Sequence, residues 1–156
     1  MEEEQTETPE GSPRNREISW GVPEEVGRRL LDAMPFAGLL GIRLGSLSRE
    51  EVRGQMDWAP ERCTTQGVLH GGALMALADS LGAICAFLNL PPGAATSTIE
   101  SKTNFFRAVR GGSVEAVSRP LHAGRTTIVA QTDLFDAEGR RVAQVTQTQA
   151  VLPGRG

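Results

Sequence analysis

The fold of this chain is decided by the stretch GVLHGGALMALADSLGAICAFL at residues 67–88. From residue 73 onward its only charged residue is Asp79, and most of the others are Ala, Leu, Met, Ile, Cys or Phe. A helix that is apolar on nearly every face belongs at the centre of a fold. A carboxylate there carries a desolvation penalty, so buried aspartates are rare unless they are paired or functional. The stretch therefore predicts a central helix with a buried, functional Asp79.

Two glycines, Gly71 and Gly72, stand between His70 and this helix. Because they lack side chains, backbone N–H groups can approach a ligand closely where the positive end of the helix dipole points. A fixed amide donor stabilises the negative charge that develops on a carbonyl oxygen during acyl transfer. One carboxylate and such amides together are suited to acyl-transfer chemistry.

Composition and charge argue against several classes of protein. The chain has 156 residues, which suits one domain, and a formal net charge of −3 without a dense basic run, which argues against nucleic-acid binding. The N-terminus lacks a signal-peptide pattern, and two cysteines do not make a disulfide framework, so we expect a cytoplasmic protein. The longest apolar run, near residues 73–88, is shorter than the roughly 18 residues of a membrane span. Cys63 and Cys85 lie in no zinc-like cluster, so we expect no metal.

Turn and breaker residues divide the chain into elements. Residues 1–17 are acidic and contain proline, which predicts a disordered tail, and residues 18–156 are expected to form a single domain. A short helix is predicted from Pro23 to about Ala33, where Met34-Pro35 ends it.

Alternating apolar and polar residues predict two strands before the long helix and four after it. The first two surround residues 42–44 and 52–56. The other four cover about 96–107, 113–121, 125–135 and 140–152. One long apolar helix with five or six strands indicates an α+β fold in which a curved antiparallel sheet wraps the helix. The other sheet face, or an edge, is then expected to meet another subunit.

The order Leu69-His70-Gly71-Gly72 followed by Leu77-Ala78-Asp79 resembles the hotdog-fold acyl-CoA thioesterases, specifically the phenylacetate-degradation (PaaI-like) branch. The similarity covers about residues 35–152. It implies dimers joined by a continuous sheet, and often homotetramers. It also implies an active site at the dimer interface, where Asp79 of one subunit faces the His-Gly-Gly turn of the other. No cofactor is implied, since coenzyme A enters as part of the substrate.

The resemblance further implies roles for individual residues. Asp79 is expected to act as the nucleophile or as general base for water, with the Gly71 amide as oxyanion donor. Thr98, on the next strand, is expected to help hold the carboxylate or the water. For His70 the residues themselves favour a structural role, in which the imidazole donates a hydrogen bond that fixes the turn, and acid/base chemistry is the alternative. Relatives commonly carry Asn or Gln six residues before the His, and its amide orients the nucleophilic water or the Asp. This chain has Thr64 at that position. Gln66 could replace that amide only if the loop is remodelled.

The expected substrate-binding residues are Gly72, Gln66, Arg107, His122 and Arg125. His122 and Arg125 flank a turn that in relatives can meet the nucleotide part of coenzyme A, and arginine suits phosphate geometry. Arg107 is a further candidate for contacting the phosphates of coenzyme A.

Two other functions stay open at this point. One is an enoyl-thioester hydratase or dehydratase of the same fold, which usually pairs a catalytic His with an acidic residue. The other is a non-catalytic acyl-CoA sensor, which would need a DNA-binding segment, and residues 1–34 offer only an acidic tail and one short helix. The acyl group itself cannot be read from the sequence.

Overall fold

A computed structural model of the chain describes residues 24–154. The predicted acidic tail at 1–17 and the helix start at Pro23 lie outside this part. The elements in chain order are α1 (Glu24–Asp32), α2 (Pro35–Leu39), β1 (Arg43–Leu47), β2 (Val52–Asp57), α3 (Gly71–Leu88), β3 (Ala95–Phe105), β4 (Ser113–Ala123), β5 (Thr127–Phe135) and β6 (Arg141–Leu152). Two short 3-10 turns, Pro60–Arg62 and Thr65–Gly67, lie between β2 and α3.

The six strands form one antiparallel sheet in the order β1-β2-β4-β5-β6-β3. Helix α3 packs against strands β2 to β6, so that the sheet wraps around it. This arrangement confirms the predicted hotdog fold. Strand β3 ends the sheet, with β6 as its neighbour on one side and an open edge on the other.

Proline has two effects at the junction of the first two helices. Pro35 ends α1, as predicted, because the residue before a proline disfavours helical geometry. It also begins α2, which the sequence analysis did not predict, because proline is well suited to the first turn of a helix.

The covered side of α3 forms the centre of the core. Nine of its 18 residues are buried, among them Leu77, Leu81 and Cys85. They pack with buried side chains of the sheet that include Met56 and Leu134. With 18 residues, α3 is longer than the apolar run predicted near residues 73–88, and by length and composition it could cross a membrane. Half of the helix is buried inside this fold.

The prediction that Asp79 is buried was wrong for the single chain. The sheet covers one side of α3, and Asp79 lies at the margin of the other side, next to strands β3 and β6 and exposed together with Met75 and Phe87. These three residues are spaced by four and eight positions, so they form one stripe along the helix. Met75 is 38% exposed and Phe87 is 54% exposed. The carboxylate thus lies within an uncovered apolar stripe.

Candidate active site

The turn before α3 is fixed by its own histidine. His70 is the N-cap of the helix, with extended backbone, and its Nδ1 accepts a hydrogen bond of 2.8 Å from the Gly72 N–H. The imidazole therefore fixes the turn as an acceptor, whereas the sequence analysis expected it to donate. Since this bond occupies the Gly72 amide, that amide is not free for a substrate.

Gly71 has an available amide. It is the first residue of α3, where a backbone N–H has no acceptor within the helix, and no acceptor for it lies elsewhere in residues 24–154. The ring of Phe105 would stand 3.1 Å from a Cβ at this position. Glycine thus allows the aromatic ring to pack directly against the start of the helix.

A cleft of about 370 Å³ opens beside Gly71. Besides Gly71 it is lined by Thr64, Val68, Leu69, Leu74, Phe105, Phe106, Arg107 and Ala108. Three residues predicted from the sequence, namely Thr64, Gly71 and Arg107, thus meet in one place. His70 and Gly72 instead line a second cleft of about 260 Å³ together with Phe36, Leu40 and Arg62.

Neutral donors hold the Asp79 carboxylate. Thr98 Oγ1 donates to Asp79 Oδ1 over 3.2 Å, as the prediction for Thr98 required. Gln147 Nε2 donates to the same oxygen over 3.1 Å. Ser80, the next residue along the helix, instead donates its hydroxyl hydrogen to the Ala76 carbonyl over 2.7 Å.

Gln147 is the site residue that the sequence analysis missed. The signal was present in β6, where Val145, Gln147 and Gln149 alternate with Thr146 and Thr148. Period-two alternation puts both glutamines on the face that Val145 buries against the helix. A glutamine on a core face needs a polar partner, and Asp79 is the charged residue of the core helix.

The carboxylate and the free amide are far apart within one chain. Asp79 and Gly71 are eight residues apart on the same helix, which corresponds to about 12 Å along the axis. The structure therefore does not bring these two predicted catalytic groups together on a single copy.

The loop residue Gln66 is held by its backbone. It has a left-handed conformation with φ of 62°, and its carbonyl accepts a bond of 2.7 Å from Arg110 Nη1. Trp58 Nε1 donates to the next carbonyl, that of Gly67, over 3.0 Å. Thr64 is the loop residue that lines the cleft beside Gly71, while Gln66 is exposed outside that lining.

The predicted basic residues fall at two ends of the molecule. His122 and Arg125 are exposed at the turn between β4 and β5. Ala123, which follows His122, is connected to Thr98 by residue pairs across β5 and β6. Ala123 and Thr98 are therefore three strand spacings apart, or about 14 Å. His122 and Arg125 thus lie at the Asp79 end of the sheet, whereas Arg107 lies at the Gly71 end.

The two cysteines have packing roles. Burial raises the pKa of the Cys85 thiol, which disfavours the reactive thiolate. Cys63 Sγ donates to the Ala59 carbonyl over 3.3 Å. Within residues 24–154 no three His, Cys, Asp or Glu side chains are grouped as a metal would require.

Comparison with known proteins identifies the family. The sequence model of the thioesterase superfamily matches residues 66–143, which contain α3 and strands β3 to β5. The chain belongs to the thioesterase superfamily. It is 34% identical to the putative esterase PA1618 of Pseudomonas aeruginosa over 76% of this chain and 82% of that protein. It is 31% identical to 1,4-dihydroxy-2-naphthoyl-CoA hydrolase of Escherichia coli K12, over 75% and 86% of the two chains.

The fold of this thioesterase is shared with solved structures. A crystal structure of a mutant form of thioesterase PA1618 superimposes with a TM-score of 0.77 at 31% identity, covering 86% of this chain and 99% of the other. The chain is thus a thioester hydrolase with the hotdog fold.

Proposed function

We propose that this thioesterase hydrolyses acyl-CoA, or a similar acyl thioester, at a site made by two copies of the chain. In this site Asp79 of one copy is the nucleophile or the general base, and the Gly71 amide of the other copy polarises the thioester carbonyl. The main support for a site made by two copies is the separation of about 12 Å along α3 between Asp79 and Gly71 of one copy. Both must lie about 3 Å from the reacting atoms, so one copy cannot supply them to a single thioester.

The exposed edge of the sheet supports the pairing of two copies. Strand β3 is an 11-residue edge on which Ile99 is 63% exposed. Long exposed edges are rarely left open in monomers because they pair readily with other chains. Antiparallel pairing of two β3 strands about a two-fold axis would bring the Thr98 half of one against the Phe105 half of the other. Asp79 lies beside Thr98, and Gly71 lies beside Phe105.

The chemistry of hydrolysis fits these groups. Attack on the thioester carbonyl transfers negative charge to its oxygen, and a preorganised amide stabilises that charge as it forms. When Asp79 acts as base, it takes a proton from water, the hydroxide adds to the carbonyl, and the proton passes to the departing thiolate. When it acts as nucleophile, the carboxylate displaces the thiolate and water then hydrolyses the anhydride. In either route its hydrogen-bond partners within residues 24–154, Thr98 and Gln147, are neutral and do not cancel its negative charge.

A coenzyme A substrate is supported by a relative and by the positions of the basic residues. One relative is named as the hydrolase of an aryl-CoA thioester, 1,4-dihydroxy-2-naphthoyl-CoA. In the proposed dimer, Arg107 of one copy and Arg125 of the other approach the shared site from opposite ends. Arginine pairs well with phosphate oxygens, so both are suited to the phosphates of coenzyme A. The cleft beside Gly71 has the apolar walls that an acyl or pantetheine chain requires.

The test is Asp79→Asn in the purified full-length protein, assayed for thiol release with a panel of aliphatic and aromatic acyl-CoA esters. We expect kcat to fall by about 10³-fold or more, because general-base or nucleophilic chemistry is lost. The matched control is Asp32→Asn, at the exposed end of α1, which should retain wild-type kcat. Activity of Asp79→Asn within a few-fold of wild type would contradict the proposal.

A further inference from the structure

We infer that Gln147 is a positioning residue for Asp79, and that the glycine at position 82 makes room for it. The inference rests on the role proposed above for Asp79. Gln147 touches neither the thioester nor water in this scheme. It acts by fixing one oxygen of the carboxylate.

Burying the Gln147 side chain destabilises the fold, so its position calls for an explanation. Its side chain is 0% exposed, and its Nε2 donates to Asp79 Oδ1 over 3.1 Å. Its Oε1 is also buried and has no hydrogen-bond partner within residues 24–154. A buried acceptor without a partner destabilises a fold, and such groups call for an explanation. The hydrogen bond from Gln147 Nε2 to the exposed Asp79 carboxylate supplies that explanation.

Gly82 provides the second, independent observation. It is buried in the middle of α3, three positions after Asp79, so the two residues are neighbours on the helix surface. A Cβ at this position would overlap the side-chain amide of Gln147. Glycine is less favourable than alanine inside a helix. The close approach of the Gln147 amide accounts for its presence here.

A second chain of hydrogen bonds reaches the same oxygen. Gln149 Nε2 donates to Thr98 Oγ1 over 2.7 Å, which leaves the single hydroxyl hydrogen of Thr98 for Asp79. The single hydroxyl hydrogen of Thr96 lies between two acceptors, Gln149 Oε1 at 3.1 Å and the Ala150 carbonyl oxygen at 3.0 Å from Oγ1. Gln149 is 1% exposed, so this chain too is built inside the protein.

Both chains end on Oδ1, which distinguishes the two oxygens of Asp79. Within the described residues Oδ2 has no hydrogen-bond partner. With Oδ1 fixed by two donors, the carboxylate cannot rotate freely, and Oδ2 is left available to water or the thioester. Oδ2 is therefore the oxygen that attacks the thioester or takes the proton from water.

The same strand offers a matched control. Gln144 Nε2 donates to Asp133 Oδ1 over 2.9 Å. Gln144 and Gln147 are three positions apart along the strand, so their side chains lie on opposite faces of the sheet. Gln144 thus makes the same type of bond, from the same strand, to a carboxylate away from α3.

The first experiment compares Gln147→Met with Gln144→Met in steady-state kinetics of thiol release and in thermal denaturation. We expect Gln147→Met to lower kcat by about 10- to 100-fold, the range expected for losing a hydrogen bond to a charged group. KM and Tm should change little, and Gln144→Met should keep wild-type kcat. A wild-type kcat for Gln147→Met, or a loss of activity that only follows the loss of folded protein, overturns the inference. If Asp79→Asn is also active, the proposed function itself fails, so the two failures are distinguishable.

A double-mutant cycle keeps the inference testable if Gln147→Met folds poorly. Gly82→Ala should lower kcat in the wild-type background, because the added methyl group displaces the amide. In the Gln147→Ala background it should change kcat by less than about two-fold, because the overlapping atoms are gone. Losses that multiply independently would show that Gly82 and Gln147 act separately, which overturns the inference.

Discussion

The two sides of helix α3 differ in what covers them. On the sheet side, Leu77 and Leu81 are 0% exposed. On the other side, Met75, Asp79 and Phe87 stay exposed in the single chain. Both sides are largely apolar in sequence, yet residues 24–154 cover only one of them.

The difference shows where the fold is complete and where it is not. The covered side stabilises one copy of the chain by burying apolar area. The open side joins an exposed apolar stripe to a carboxylate held by buried glutamine. Exposed apolar stripes of this kind mark interaction surfaces. One copy of the chain therefore folds around its own core but, in the function proposed above, supplies only half of an active site.

The most severe test of this difference removes the amide at the start of α3. Proline is tolerated at the first helical position, and His70 before it already has the extended backbone that proline requires. Gly71→Pro should therefore remove the N–H while keeping the helix, and lower kcat by about 10²- to 10³-fold. Gly71→Ala keeps the N–H and adds a Cβ near Phe105, so it controls for crowding and should lose less.

A mixed dimer then tests whether the site is shared. Copies carrying Asp79→Asn and copies carrying Gly71→Pro would be given different tags, co-expressed and purified as heterodimers. One of the two sites then receives both intact groups, so about half of the wild-type turnover per dimer is expected. If each copy held a complete site, both sites would carry a lesion and the heterodimer would be inactive.

The covered side should respond through stability rather than chemistry. Leu81 packs against Gly54 of β2, with a methyl group 3.1 Å from a Cβ position there. Leu81→Ala should lower the free energy of unfolding by about 3 kcal/mol, because it leaves a cavity in the core. Chemical denaturation should give the same loss at every protein concentration, since this packing lies within one chain. Met75→Ala should give a smaller loss that depends on concentration, and equal behaviour of the two variants would refute the distinction between the sides.

Much of the fold could be predicted from the sequence because local signals agreed with the tertiary structure. The strands begin and end within a few residues of the predicted bounds, since period-two alternation and the breaker at residues 90–93 act locally. The helix α2 was missed because Pro35 was taken only as a stop. Which side of α3 is exposed could not be predicted, because a helix apolar all round carries no periodic signal for the side that the sheet covers.

The site was predictable in part for a similar reason. Thr98 was expected beside Asp79 from the family resemblance, and the structure shows that contact. Gln147 was missed because it is 68 residues from Asp79 in sequence, and the bond between them depends on how β6 packs against α3. The polar residue on a core face was visible in the sequence, but its partner was not.

The smallest expected effect on the single chain, and the most direct test of the open side, comes from Phe87. Phe87→Asp replaces a side chain that is 54% exposed, so the fold of one copy should change by no more than about 0.5 kcal/mol. The same charge should oppose burial between two copies. We therefore expect sedimentation to show dissociation at micromolar concentration, with activity that recovers as the protein is concentrated. The control is Val26→Asp on α1, also exposed and apolar, which should leave the assembly intact. A Phe87→Asp protein that keeps its assembly and its activity on dilution would show that the open stripe of α3 does not meet a second copy.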